Sequence, residues 1–424
     1  MLVGCSGNDS SSLLKSVPKD TGFLVVANIE KMHEKIGSDV SLADSDLSNL
    51  GPSSGSMGKL LKVVFDPKAG VDYNVPLIVF ERKYSPVVTF MLSDKNAFEK
   101  TLAAKAGIKL MNEGGIKKSA DNTVFISDKQ VWLSPGYPEL SKDDILLFKA
   151  LGEKESVLSL QCAEKFLDSR ANLSLLYSLS FLNGEEMLNP SYIMGLNFLF
   201  ESPKYVEAHI NFEKGAVKGT LNILDSKGSI ANCTIKPVKI NMKSLKDFNG
   251  RGNMFFAMGA DPAIMALVSM GLQNVPMVPR DAVDAIKNLN GNIILAVDIN
   301  GEEPGASVSL DFDNVEAAEK GRSLVASFLP EDKIGMSIAG NTLSAVYNDS
   351  QNGQPISDVA SKFEGADIGI VVVNHGNNAF RRFLPETVRE FSLIGKSKGN
   401  ALEFGLTLDT DPAQNSLLTI LKSL

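Results

Sequence analysis

This chain matches itself, and that limits its possible folds more than any other property it has. Residues 88–100 (VTFMLSDKNAFEK) lie over residues 308–320 (VSLDFDNVEAAEK) without a gap, placing Val88 on Val308, Ala97 on Ala317 and Glu99-Lys100 on Glu319-Lys320. Both stretches read as a strand, an Asp in a helix-capping position, and an amphipathic helix. The flanks agree at slightly different spacings. FLVVAN at 23–28 answers MFFAMG at 254–259, and Lys149–Gly152 with the strand-like Val157–Leu160 answers Lys362–Gly365 with Ile370–Val373. A period this long is no solenoid unit. It predicts one whole domain written twice, with a boundary near residues 236–250.

Length points the same way, because 424 residues exceed the roughly 250 to 300 at which a single core stops growing. Each copy reads as strand and helix, hairpin and helix, hairpin, then helix, strand and helix, and a closing hairpin. Hairpins outnumber parallel crossovers, so the expected class is α+β: two tandem related modules, 17–237 and 238–424, each a largely antiparallel sheet covered by helices on one face. The closing hairpin of the first copy alternates cleanly. Val206 to Phe212 and Val217 to Ile223 are separated by Glu213-Lys214-Gly215, which predicts one buried and one wet face. Residues 315–329 show the helical period, with Ala317, Ala318, Leu324, Val325, Phe328 and Leu329 on one side.

The N-terminus reads differently. Leu2-Val3-Gly4-Cys5 is similar to a bacterial lipobox, and the run Ser6-Gly7-Asn8-Asp9-Ser10-Ser11-Ser12 behind it suits a flexible tether, so residues 1–16 are expected to stand outside the folded core. Lipidation of Cys5 would anchor the protein through buried acyl chains, at about 0.8 kcal/mol per methylene. Much of a signal peptide is missing ahead of Leu2, as expected of a late start or a trimmed chain. Cys162 and Cys233 then remain, either as a disulfide or as two buried thiols. Three Cys and three His spread along the chain do not supply a paired zinc cluster.

Several chemistries are disfavoured. A net charge of −8 and a pI near 5.2 argue against nucleic acid, which is bound by neutralising phosphates with Lys and Arg; Arg381, Arg382 and Arg389 read as a solvated face. The apolar stretch 254–272 is broken by Asp261-Pro262 and reads as strand, turn and short core helix instead of a membrane span. The loop-like GPSSGSMGKL at 51–60 puts Ser53 and Leu60 where a phosphate-binding loop needs Gly and a hydroxyl. His209 falls on the wet side of its strand and His33 on a helix edge. His375, in a loop after a buried strand, is the best placed of the three. No GxSxG, HExxH or GxGxxG accompanies them. Trp132 and Tyr137, at a strand end, could stack on a sugar or anchor a partner, with core packing the commoner role of such a Trp. Met254, Met258, Met265, Met270 and Met277 could similarly form an adaptable surface or fill core gaps.

The lipobox and Ser-rich run, the opening VPKDTG at 17–22 leading into FLVVAN, and the doubled strand–helix units together resemble an uncharacterised family of Bacteroidetes lipoproteins, a domain of unknown function. The resemblance implies a cell-envelope location, in the outer membrane or periplasm, with Cys5 as the one residue to carry over. The expected role is a non-enzymatic binding or interaction module without cofactor or metal, partnered by the membrane through its lipid and by envelope proteins or glycans, with Trp132, Tyr137 and His375 as candidate surface residues. The alternative is a glycan or peptide hydrolase with its carboxylates in the cleft between modules.

Overall fold

The structure is a computed structural model that describes residues 6–36, 56–134, 139–167, 171–180, 199–272, 280–299, 304–326, 333–348, 353–374, 387–413 and 416. It is mixed helix and strand, built on one large antiparallel sheet. In the first half, β1 (Phe23–Ala27), β2 (Leu77–Arg82) and β3 (Ser85–Met91) form a meander. Beyond β3 follow β7 (Gln130–Leu133), β6 (Val124–Ser127), β5 (Ile116–Ser119) and β4 (Leu110–Glu113). On the other side of β1 lie β8 (Leu173–Ser178), β9 (Tyr205–Glu213) and β10 (Ala216–Leu224).

The second half follows the same order but has no counterpart of β4 and β5 among the described residues. After the short β11 (Arg251–Gly252), β12 (Met254–Ala260), β13 (Leu289–Asp298) and β14 (Gly305–Phe312) form its meander, with β16 (Thr342–Tyr347) and β15 (Ile334–Ala339) beyond β14. β18 (Ile368–Val373), β19 (Glu390–Lys398) and β20 (Ala401–Asp409) continue on the other side of β12. A two-residue β17 (Gln354–Pro355) pairs with β11 in a separate small sheet. The halves meet where β10 and β20 pair antiparallel, with Leu221 opposite Phe404, closing a single 18-stranded sheet.

Local chemistry explains the elements. Hairpins β9–β10 and β19–β20 each join two nine-residue strands through two residues, Lys214-Gly215 and Gly399-Asn400. The β9–β10 alternation buries Phe212 and Val217 on one face, and on the other, expected to be wet, Tyr205, Glu207 and Asn222 are buried as well. Asp94 caps the helix Lys95–Thr101 by accepting from the Asn96 and Ala97 amides. In the second half Asn314, not the preceding Asp313, accepts from the Ala317 amide ahead of the helix Val315–Ala326. Asn314 is the residue that lies over Asp94, and Asp313 is instead held by Asn290.

Both sheet faces carry helices, correcting the expectation of one covered face. One face is covered in the first half by helices Ile29–Ile36, Ser56–Val64 and Lys95–Thr101, which bring Ile29, Met32, Leu60, Val63 and Phe98 onto it. In the second half Pro262–Leu272, Arg280–Lys287 and Val315–Ala326 lie there through Met265, Ile286 and Val325. The opposite face holds a first-half core around Phe80, Trp132 and Phe148, and a second-half core around Phe255, Ile356 and Phe363. Leu324 is within its helix as expected, while Phe328 and Leu329 lie outside the described residues.

Three further expectations change. Residues 1–16 are not all tether, since Ser6–Lys15 is a helix whose Leu13 and Leu14 are buried against the first-half core. Burying two leucines, at roughly 1.5 to 3 kcal/mol each, outweighs the low helix preference of a Ser-rich segment. Val157–Ser159 is a 3-10 turn, not a strand; the counterpart of β18 in the pairing order is β8. Ser56–Val64, read as part of a loop, is a helix because Leu60, Val63 and Val64 meet the core on one side. The stretch 254–272 divides into β12 and the helix Pro262–Leu272, with Asp261 accepting from the Ala263 amide at 2.8 Å.

Candidate functional site

An apolar cavity of about 270 Å³ lies at the seam of the two halves. This is just under the roughly 300 to 1,000 Å³ of small-molecule sites. Its floor is the sheet itself, with Leu221 and Ile223 from β10 and Leu402 and Phe404 from β20, continued by Leu393, Ile368 and Met258. One wall is the segment that leads from β10 toward β12, through Cys233, Ile235, Pro237 and Val238. The helix Pro262–Leu272 contributes Ile264 and Val268. Alternation on the strands puts all the floor side chains on one face.

Two details hold this arrangement. Val238 bridges to Gly259 across the cavity edge, and a Cβ on Gly259 would stand 2.1 Å from the Val238 carbonyl oxygen, so the wall can lie on β12 only above a glycine. Asp367 is the only carboxylate among the described lining residues and is already engaged. Lys239 Nζ lies 2.7 Å from its Oδ2, and Ser397 Oγ donates to its Oδ1 at 3.0 Å. A glycosidase needs two carboxylates flanking the bond, and this cavity offers one that is spoken for.

Cys233 and Cys162 are both free and buried, which resolves the cysteine alternative in favour of two thiols. Burial pushes the Cys233 thiol up to about 11, with Asp367 and Glu201 adding to the effect. The Cys162 thiol is pushed up to about 12 by burial and by Glu207. Neither is poised as a nucleophile at neutral pH.

A second group of polar side chains lies on the opposite face of the first half. His209 is paired, not simply solvated: its Nδ1 lies 2.9 Å from Ser174 Oγ and its Nε2 3.4 Å from Glu207 Oε1. Asn222 Nδ2 donates to Glu207 Oε2 at 3.0 Å, and Lys165 Nζ lies 3.5 Å from the same oxygen. Burial alone would raise the Glu207 pKa, but His209, Asn222 and Lys165 together hold it below its ordinary value. The hydroxyl–imidazole–carboxylate order looks hydrolytic, yet Ser174 is 1% exposed. None of the three residues lines the seam cavity or the crevice that runs past Lys19, Glu81, Lys83, Tyr84 and Lys204. Within the cluster His209, Asn222 and Lys165 solvate the buried Glu207 carboxylate.

Of the residues singled out from sequence, Trp132 is fully buried in the first-half core and is not a surface anchor. Its indole lies opposite Phe125 across the β6–β7 pair, in the buried cluster that also holds Phe80. Cys5, Tyr137 and His375 lie outside the described residues. Among the methionines, Met265 is core, Met258 lines the cavity and Met270 is 58% exposed. The residues that sequence reasoning missed are Ile264, Val268 and the two seam strands. One signal could have found the helix: Ile29–Ile36 reads IEKMHEKI, whereas Pro262–Leu272 reads PAIMALVSMGL without a charge.

No protein-family model matches the chain, and no curated protein gives a significant match. Two crystal forms of TP0453 are similar to it at low level. Form I is 10% identical, with a TM-score of 0.31, over 82% of this chain and 95% of that chain. Form III is 11% identical, with a TM-score of 0.23, over 82% and 96%. Likeness this slight carries no argument about fold or function.

Proposed function

We propose that the protein is a lipid-anchored cell-envelope binding protein, made of two diverged copies of one α+β unit, whose seam cavity holds an apolar ligand. The observation that carries the ligand site is the cavity itself, a carbon-lined space whose one carboxylate is neutralised from within the protein. The matching strand order of the two halves supports the duplication, with β10 and β20 as equivalent strands meeting at the seam. The Leu2–Cys5 lipobox supports the anchor.

The test of the ligand site is titration with N-phenyl-1-naphthylamine, an uncharged dye that brightens in apolar surroundings. The full chain is expected to bind it, and Val268→Trp, which fills the cavity from a partly exposed wall position, is expected to weaken binding about tenfold or more, a change of about 1.4 kcal/mol per decade. Unchanged dye binding in a folded Val268→Trp protein would refute the site. The anchor is tested separately by fractionation: Cys5→Ala is expected to leave the membrane fraction, and an unchanged distribution would remove the anchor from the reading.

A further inference from the structure

We infer that the occupant of the seam cavity is one alkyl chain of an amphiphile whose polar head stays outside, and that the chain is loaded from a lipid bilayer across the helix Pro262–Leu272. This rests on the reading of the cavity as a ligand site. The lining argues for the alkyl chain. Asp367 has both oxygens engaged by Lys239 and Ser397, and the Cys233 thiol is buried and protonated, so among the described residues no lining side chain is left to receive a charged or strongly polar group. A polar head taken inside would lose its water without replacement, whereas an alkyl chain loses nothing. Leu, Ile, Val, Phe and Met side chains on three walls meet a chain of methylenes with dispersion contacts on every side.

The helix argues for the route. A helix on a protein surface ordinarily keeps a polar outer face. The helix Ile29–Ile36, which follows the first strand of the first half and has Asn28 accepting from the Lys31 amide, obeys this with Glu30, Lys31 and Glu34. The helix Pro262–Leu272, which follows the first strand of the second half and is capped by Asp261, has no charged residue at all. Its Ile264 and Val268 line the cavity, its Met265 is buried, and it still shows 38% of Val268 and 58% of Met270 to the outside. Cavity wall and exposed apolar surface are thus continuous through Val268. A surface of that kind, free of the charges that would hold it in water, fits the hydrocarbon boundary of a bilayer. Alkyl chains are themselves concentrated there, because each methylene favours the bilayer over water.

Cys233 provides a native reporter and Cys162, buried in the first-half core, an internal control. The experiment follows alkylation of both thiols by N-ethylmaleimide, read by peptide mass spectrometry, in the delipidated full chain and in Met270→Asp. Met270 is exposed and does not line the cavity, so that variant is expected to fold and to bind the dye normally. Palmitate is expected to slow Cys233 alkylation about tenfold in both proteins, and phosphatidylethanolamine–phosphatidylglycerol vesicles to do so in the parent but about tenfold less well in Met270→Asp, with Cys162 unmoved throughout. Protection by palmitate but not by vesicles would identify free fatty acid as the source and overturn the bilayer route. Equal vesicle protection in both proteins would overturn the role of the helix. Protection by neither, in a protein that still binds dye and loses it on Val268→Trp, would overturn the alkyl chain while leaving the cavity as a ligand site. Absence of dye binding would instead sink the ligand-site reading beneath it.

Discussion

The two halves of the sheet put different chemistry on the same lattice. In the first half Ser174 pairs across to His209, and Glu207 and Asn222 sit beside them. At the corresponding pairing in the second half Gly369 stands opposite Ile394. A Cβ on Gly369 would meet the Ile394 side chain at 2.6 Å, so the glycine is what lets an aliphatic side chain fill the space that a hydrogen-bonded pair fills in the other half. The other face diverges in the opposite sense. There the first half is filled by Ile29, Met32, Leu60 and Phe212, whereas a cavity remains at the seam, beside Ile264 and Val268 of the second half. Pairing order is kept because backbone hydrogen bonds do not read side chains; what each face can hold depends on how completely the side chains close over it.

The contrast between the halves should be largest at the filled side. Leu60→Ala is expected to cost about 2 to 5 kcal/mol, because it opens a hole in a closed core. Ile264→Ala, beside a cavity that already exists, is expected to cost clearly less. Urea unfolding of the two variants gives the difference, and equal losses would mean that the two halves are equally filled.

Next in size is Glu207→Gln. Removing a buried, multiply bonded carboxylate is expected to cost about 1 to 3 kcal/mol at neutral pH. The pH dependence has a definite sign. The folded pKa of Glu207 lies below its unfolded value, so its stabilisation is fully present above the ordinary glutamate range and is lost as pH falls through the folded pKa. Stability of the parent should therefore drop below about pH 4.3, and the variant should show a shallower acid limb. Parallel acid limbs would remove Glu207 from that account.

Gly369→Ala probes the other member of the pair. Crowding of Ile394 and Phe363 is expected to cost about 1 to 3 kcal/mol, and trimming the neighbour in Gly369→Ala/Ile394→Val should recover part of it. Recovery is read from the denaturation midpoint; a purely additive double variant would mean the two side chains do not meet.

The smallest effect is expected in the β2–β3 turn, where Lys83 and Tyr84 hold φ of 48° and 66° and Tyr84 is largely exposed. Tyr84→Gly relieves a bulky residue in the left-handed region and is expected to raise stability by about 0.5 to 1 kcal/mol. A loss would show that the tyrosine ring makes a contact worth more than the strain.

Much of the architecture was legible where a segment's own pattern determined it. The β9–β10 alternation, the Asp94 cap and the break at Asp261-Pro262 all act within a few residues. The misreadings share a cause. Leu13 and Leu14 look like the end of a tether, and Val157–Ser159 like a strand, until the core they pack against is known. Trp132 lies at a strand end that could face either way, and which way it faces depends on residues such as Phe80 and Phe148, which share its buried cluster but come from other elements. The candidate site was legible only as an absence of charge in residues 262–272, because its floor comes from strands that look like ordinary core and its other wall from an irregular segment.

Local pattern was enough for the mixed α+β class and the hairpin-rich antiparallel order, since periodicity, turns and caps are properties of short stretches of chain. Tertiary packing alone settled that the two closing hairpins meet edge to edge through β10 and β20, that helices cover both faces, and that a cavity remains at the seam. Those outcomes depend on which side chains become neighbours across hundreds of residues, and a cavity is the volume that such neighbours fail to fill.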